Sequence, residues 1–358
     1  MVSKSDFEVP SLTGLGKLIG SLWRPIIGSA AIVCAAILCA LLIGETRIPP
    51  DVALKVLANK LFGAGYDVNA IDSGILWSYR LTRAIVAACC GAGLAISGVV
   101  LQALLRNALA EPYLLGISAG ASTGAVLATV AGFGGGAVSL SAGAFGGARA
   151  AFAIVVSLAH FAGGGTARKG SVQIVLAGIA GSQLFNALTS FIIARSANSD
   201  QARGIMFWLM GNMSGVRWED VAVAVVIVVI GFIVVAWHAR PLDAFTFGTD
   251  AAASVGVPVR RVQTVLILTT ALLTAAMVSI VGAIGFVGLV IPHMARFIVG
   301  HSHARLIPAA AVFGAVFLIF ADITSRIIIP GQVLPIGVIT ALIGAPVFAA
   351  ILIRGQRT

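Results

Sequence analysis

The sequence predicts an all-α integral membrane protein of about ten transmembrane helices, on two observations. Hydrophobic residues make up 59% of the 358 and charged residues only 10%, whereas a soluble domain carries about 25% charged residues. This chain could not build a surface that faces water throughout. Its apolar runs also approach the roughly 20 residues that one helix needs to cross the hydrocarbon core, and they lack the alternation over about 10 residues that marks a barrel strand. Helices follow, because lipid satisfies no exposed backbone group.

The elements read in order. Residues 1–23 hold Asp6, Glu8 and Lys17 without a compact apolar core, so they form a poorly ordered cytoplasmic tail and not a cleaved signal peptide. Residues 24–354 form one transmembrane domain. Its spans fall at about 24–44, 80–104, 113–133, 148–165, 172–194, 220–239, 262–282, 284–299, 306–326 and 335–353. A polar stretch from Glu45 to Tyr79 separates the first two spans. Small-residue spacing at Gly91, Gly93 and Gly98, and again at Gly282, Gly285 and Gly288, suits close helix packing in lipid. The glycine-rich stretch Gly132–Gly147 reads as a flexible external connection. The polar segment 195–219 has room for a short helix, and Pro292 points to an irregularity in the eighth span.

Ten spans put both termini on one side, and basic residues mark the cytoplasmic side of a membrane protein. With the termini inside, 13 of the 23 lysines and arginines are cytoplasmic, among them the short-loop pairs Arg168-Lys169 and Arg260-Arg261. Glu45, Asp51, Asp67, Asp72 and Asp200 lie outside. The net charge of +10 therefore records topology and headgroup contact, not a nucleic-acid partner. Cys34, Cys39, Cys89 and Cys90 all sit in apolar runs as small filler.

Several chemistries are excluded. Ionisable residues in mid-span mark ion coupling, yet His160 and Asp322 are the nearest candidates and both fall near span ends. The fragment GGGTARKGS at 163–171 reads Lys169-Gly170-Ser171, not the Gly-Lys-Ser/Thr order of a phosphate loop, and it sits between two spans as a basic cytoplasmic turn. His301 and His303 lack further metal ligands and read as a headgroup-level polar turn. No nucleophile–base constellation is present. The chain holds neither an engine nor a catalytic centre, so a transporter driven from elsewhere is the first reading and an ion-coupled secondary transporter the alternative.

Two stretches go further: RLTRAIVAACCGAGLAISGVVLQALLRNALAEPYLLGISAGAS at 80–122, and 282–348, which contains GAIGFVGLVIPHMARF and QVLPIGVITALIGAPVF. Both resemble the FecCD or BtuC-like permease subunits of bacterial ABC importers for iron chelates (siderophores and haem) and cobalamin. Three positions depart from that family's pattern: Thr82 and Ala108 stand where it has prolines, and Val333 where many members have a glutamate.

The resemblance implies a type II importer permease in the bacterial cytoplasmic membrane. It would work as a homodimer or with a paralogous permease, with two ATPase subunits that carry ATP and Mg, and with a periplasmic or lipoprotein substrate-binding protein. The chain itself would hold no cofactor and no metal. The segment FGTDAAASVGVPVRRVQ resembles the family's ATPase-coupling loop (about 247–262). It offers Phe247, Gly248, Ala252, Ala253, Val255, Gly256, Val257, Pro258 and Arg260, and its alanines favour a short helix ending at Gly256. Arg106, Asn107, Leu109, Ala110, Glu111 and Pro112 would shape the cytoplasmic mouth. Arg47, Lys55, Arg80, Arg83, Arg195, Arg203 and Trp208 would form the outer gate and the binding-protein contact. The cargo implied is an iron chelate, with cobalamin as the alternative.

Overall fold

A computed structural model describes residues 12–131, 137–161, 167–196 and 198–355. In order these form α1 (Leu12–Leu42), α2 (Pro50–Phe62) and α3 (Ala70–Gly74). A π-helical stretch (Ile75–Leu81) then leads from α3 into α4 (Thr82–Leu104). Next come α5 (Ile117–Val130), α6 (Ala137–Phe161), α7 (Ala167–Ser196), α8 (Ser199–Leu209) and α9 (Trp218–Trp237). The chain ends with α10 (Ala239–Phe245), α11 (Thr249–Ser254), α12 (Val259–Val281), α13 (Val287–Val299), α14 (His303–Ile327) and α15 (Ile336–Gly355). Six helical segments, with Ala70–Leu104 taken as one, are long and apolar enough to cross a membrane. Four shorter apolar helices, within α1, α5, α13 and α15, bring the number to ten.

The centre of the bundle is α4, buried along nearly its whole length and surrounded by α1, α9, α12, α13 and α14. Glycine makes this possible. A Cβ at Gly91 would overlap the carbonyl of Gly314 on α14, and one at Gly98 would overlap the carbonyl of Gly288 on α13. Backbones approach this closely only where side chains are absent, and dispersion between them then replaces the hydrophobic drive that lipid does not provide.

The same physics corrects one expectation. Gly143 and Gly147 do not belong to a flexible connection. They lie in α6 and pack against Gly124 and Gly120 of α5, again within reach of carbonyl oxygens; residues 132–136 lie outside the described residues. The first helix starts at Leu12, not at residue 24, while residues 1–11 of the expected tail are outside the described residues. Part of the expected turn at 163–171, residues 163–166, is likewise outside them, and α7 already begins at Ala167.

Among the apolar helices, α5 with 14 residues and α13 with 13 are too short to cross alone. At about 1.5 Å per residue, the 13 residues of α13 reach about 20 Å, against a hydrocarbon core of about 30 Å. The chain between α12 and α13, Gly282–Phe286, is non-helical, with Gly282 and Ile284 buried and Ala283, Gly285 and Phe286 half-buried. Irregular backbone at membrane depth needs such burial, because lipid offers it no hydrogen bonds.

Candidate functional site

The helix ends gather at two places, and the residues singled out by sequence divide between them. At the end assigned above to the outside, the start of α4 meets the ends of α1 and α14. Arg83 donates from Nε (3.1 Å) and Nη2 (2.6 Å) to Oδ1 of Asp322, and its Nη1 donates to the Tyr79 hydroxyl at 2.7 Å and to Ser214 Oγ at 3.2 Å. Arg326, one turn beyond Asp322, faces the other carboxylate oxygen at 3.1 Å. Arg80 donates to the Leu41 carbonyl at 2.9 Å and to the Thr46 carbonyl, capping the end of α1, whose last carbonyls have no helical partner. Arg80, Arg83 and Arg326 are each no more than 2% exposed and Asp322 is fully buried.

That geometry corrects two assignments. Arg80 and Arg83 do not face a soluble partner: their guanidinium groups are turned into the protein, because carbonyls and a carboxylate there supply the partners that a buried charge requires. Trp208 is also buried, at 8% exposure. Asp322 is no helix-end bystander but the carboxylate that two arginines share. The pairs Tyr79/Arg83 and Asp322/Arg326 stand four apart on a helix, the spacing at which side chains meet; that was the available signal. Arg47, Arg195 and Arg203 are exposed and Lys55 is partly so. The Lys55 ammonium sits 3.1 Å from Asp51 and holds that carboxyl below its usual range.

Beside this cluster three irregular segments join through backbone hydrogen bonds. Asn212 N–H donates to the Val281 carbonyl (2.8 Å), Ile336 N–H to that of Gly211 (2.9 Å), and Gly337 N–H to that of Met210 (3.1 Å). Gly211 and Gly282 adopt φ of 79° and 77°, the left-handed region open to glycine. A Cβ at Gly282 would overlap the Trp208 carbonyl. The short helix expected in 195–219 is α8, opened by a capping box between Asn198 and Gln201.

The opposite end holds the expected mouth and coupling segments together. Asn107 Oδ1 accepts from Leu109 N–H at 2.9 Å and its carbonyl from Ala110 N–H at 3.1 Å, a self-closed asparagine turn. Arg106, Asn107 and Leu109 are exposed, whereas Ala110 and Pro112 are buried. Within the coupling segment one short helix forms, α11, set between α10 and α12. Ala252 is fully buried, and Phe247 and Val255 stand out at 82% and 71% exposure. Ala253, Gly256, Pro258 and Arg260 are exposed, Val257 is half-buried and Gly248 is buried. A Cβ at Gly248 would lie 3.3 Å from the Arg106 guanidinium, so coupling segment and mouth touch.

A cleft of about 340 Å³ opens there, lined by Gln102, Ala103, Arg106, Thr246, Arg296, His301 and His303. Arg296 Nη1 donates to Gln102 Oε1 at 2.6 Å. Asp243 Oδ1 accepts from the backbone N–H of His303 at 2.8 Å and lies 2.7 Å from its Nδ1. His303 is therefore a buried link between α10 and α14, and only His301 keeps the exposed place expected of both. Among the described residues, no group of three or more His, Cys, Asp or Glu could hold a metal ion.

The profile of the FecCD transport family matches residues 32–354. The chain belongs to this family. Across 91% of its length it is 37% identical to the ABC transporter permease YvrB of Bacillus subtilis, whose function is uncharacterised, covering 92% of that protein. The cobalamin import permease BtuC of Halobacterium salinarum is 39% identical over 78% of this chain and 73% of its own. The iron(3+)-hydroxamate import permease FhuB of B. subtilis is 34% identical over 94% and 86%. A solved protein described as a metal-chelate type ABC transporter, in an inward-facing conformation, superposes with a TM-score of 0.78 at 27% identity, covering 92% of this chain and 99% of the other. This FecCD member is thus a multi-pass ABC importer permease and not an enzyme.

Proposed function

We propose that this FecCD permease carries an iron chelate, haem or a ferric siderophore, across the bacterial cytoplasmic membrane. It would work as a dimer with two ATPase subunits and a substrate-binding protein. The observation that carries the ATP-driven part is the coupling segment: a buried Ala252 anchors α11 while Phe247 and Val255 project from the end opposite the arginine cluster. Exposed apolar side chains beside a basic helix start suit a partner's groove better than water. ATP and Mg belong to that partner. Both termini lie on the same cytoplasmic side.

On the outer side Arg47, Lys55, Arg195 and Arg203 offer positive charge to an acidic binding protein, and Arg195 also to carboxylates of an anionic cargo. Cobalamin is the second reading, favoured by the 39% identity to a cobalamin permease. Reconstitution with the ATPase and binding protein tests both, with haem, a ferric hydroxamate and cobalamin supplied in turn. ATP-dependent accumulation of one of them names the cargo. Flux indifferent to ATP, or no stable complex with an ATPase, overturns the reading.

A further inference from the structure

Among the described residues only two non-glycine positions have positive φ, Arg106 at 50° and Phe286 at 69°. Such backbone is sparsely populated for side-chain-bearing residues and persists only where the surroundings hold it. The two positions lie 180 residues apart in the chain, yet one short segment, 106–113, starts at the first and reaches Ile284, two residues before the second.

At its first end Arg106 rests against Gly248 of the coupling segment. The Asn107 turn ties residues 107–110 together. At its second end Pro112 packs against Gly288 in the first turn of α13, where an added Cβ would lie 2.6 Å from its Cδ. One residue on, the Tyr113 hydroxyl donates to the Ile284 carbonyl and accepts from the Ile284 N–H, both at 2.6 Å. The non-helical chain Gly282–Phe286 thus owes its side-chain hydrogen bonds to this segment. Its other end is tied through Val281 to Asn212, and Gly211 and Met210 tie onward to Ile336 and Gly337.

We infer that residues 106–113 form a strut that transmits movement of the coupling segment to the outer end of the pathway, with Tyr113 as its positioning residue. The inference rests on the reading of this chain as an ATP-driven importer. It does not assign Tyr113 to the cargo. Tyr113 holds both polar groups of Ile284, so a shift of the mouth loop moves the Gly282–Phe286 chain. A shift of that chain also moves the adjoining Val281, whose carbonyl accepts from Asn212 N–H.

The test is the ratio of cargo accumulated to ATP hydrolysed, per assembled complex in proteoliposomes. The cargo would be haem, a ferric hydroxamate or cobalamin, whichever the wild type imports. Tyr113→Phe keeps the ring and deletes the clamp. It should lower the ratio roughly tenfold, the scale of one buried polar pair left unmade, while ATP hydrolysis persists. The strut is overturned if Tyr113→Phe keeps the wild-type ratio, or if hydrolysis and uptake fall in parallel.

A second measurement needs no cargo. In the purified permease, Arg106→Ala should speed hydrogen exchange across 282–290 by a factor that collapses when Tyr113→Phe is already present. Equal factors in the two backgrounds would remove the coupling. A wild type that shows this interaction but no ATP-dependent uptake would sink the importer reading and leave the strut.

Discussion

Arg83 and Asp322 stand 239 residues apart in the chain, yet two nitrogens of one converge on a single oxygen of the other at 3.1 and 2.6 Å, with both side chains at most 1% exposed. The pair joins the start of the central helix α4 to the end of α14, and Arg326 shares the same carboxylate.

Removing the shared carboxylate is therefore the most damaging single change at this end. Asp322→Ala leaves Arg83 and Arg326 close together without an anion, and breaking a buried pair costs about 3–5 kcal/mol. Asp322→Asn keeps an acceptor oxygen and should fall between alanine and wild type. Thermal unfolding of the detergent-solubilised protein ranks the three. An Asp322→Ala variant as stable as wild type would mean that water already reaches the cluster.

Glycine positions give a contrast within one residue type. Gly98→Ala drives a methyl into the Gly288 carbonyl, and overpacking of this kind costs about 1–3 kcal/mol. Gly146 is equally helical but has nothing within 4 Å of its would-be Cβ. Gly146→Ala should be neutral or stabilising by up to about 1 kcal/mol. Gly98→Ala should lower the melting temperature and Gly146→Ala should not; equal losses would refute the packing argument.

Part of this was legible in the sequence. Ten apolar runs gave ten helices because hydrophobic length is read residue by residue and lipid demands helices. The short helix α11 was legible for a local reason: its alanines favour helix and Gly256, just beyond its end at Ser254, stops it; the coupling role came only from the family resemblance. Arg83 was not. A guanidinium near a span end looks the same whether it faces water or a carboxylate on a helix 239 residues away, and only packing decides. Gly143 and Gly147 misled because glycine spells both flexible loop and tight helix contact, and the facing glycines at 120 and 124 settle which. The His303–Asp243 link joins α10 to α14 across 60 residues and leaves no local trace.

The exposed basic residues of the outer end should act through rate more than through final affinity. Arg47→Glu, Arg195→Glu and Arg203→Glu each reverse a charge without touching the core, since all three are exposed. Rim charges chiefly steer encounter, so association with an acidic binding protein should slow with each reversal, and the slowing should fade at high salt as screening shortens to about 3 Å at 1 M. Stopped-flow association at two ionic strengths checks this. A salt-independent loss would place these residues inside the interface and not at its rim.

Phe247 gives the sharpest test of the opposite end. Its ring is 82% exposed and contributes little to the fold, so Phe247→Ala should leave the melting temperature of the isolated permease unchanged. Burying a phenylalanine ring is worth about 1.5–3 kcal/mol, so the same change should weaken the complex with the ATPase by about tenfold or more. Val255→Asp on the neighbouring projection should do at least as much, because it would bring a charge into an apolar contact. Ala252, fully buried behind the same helix, provides the reverse case: Ala252→Leu should lower permease stability whether or not the ATPase is present. If Phe247→Ala and Val255→Asp both leave the complex at wild-type affinity, the ATPase docks elsewhere, and the ridge made by α11 would then be a membrane-facing edge instead of a coupling surface.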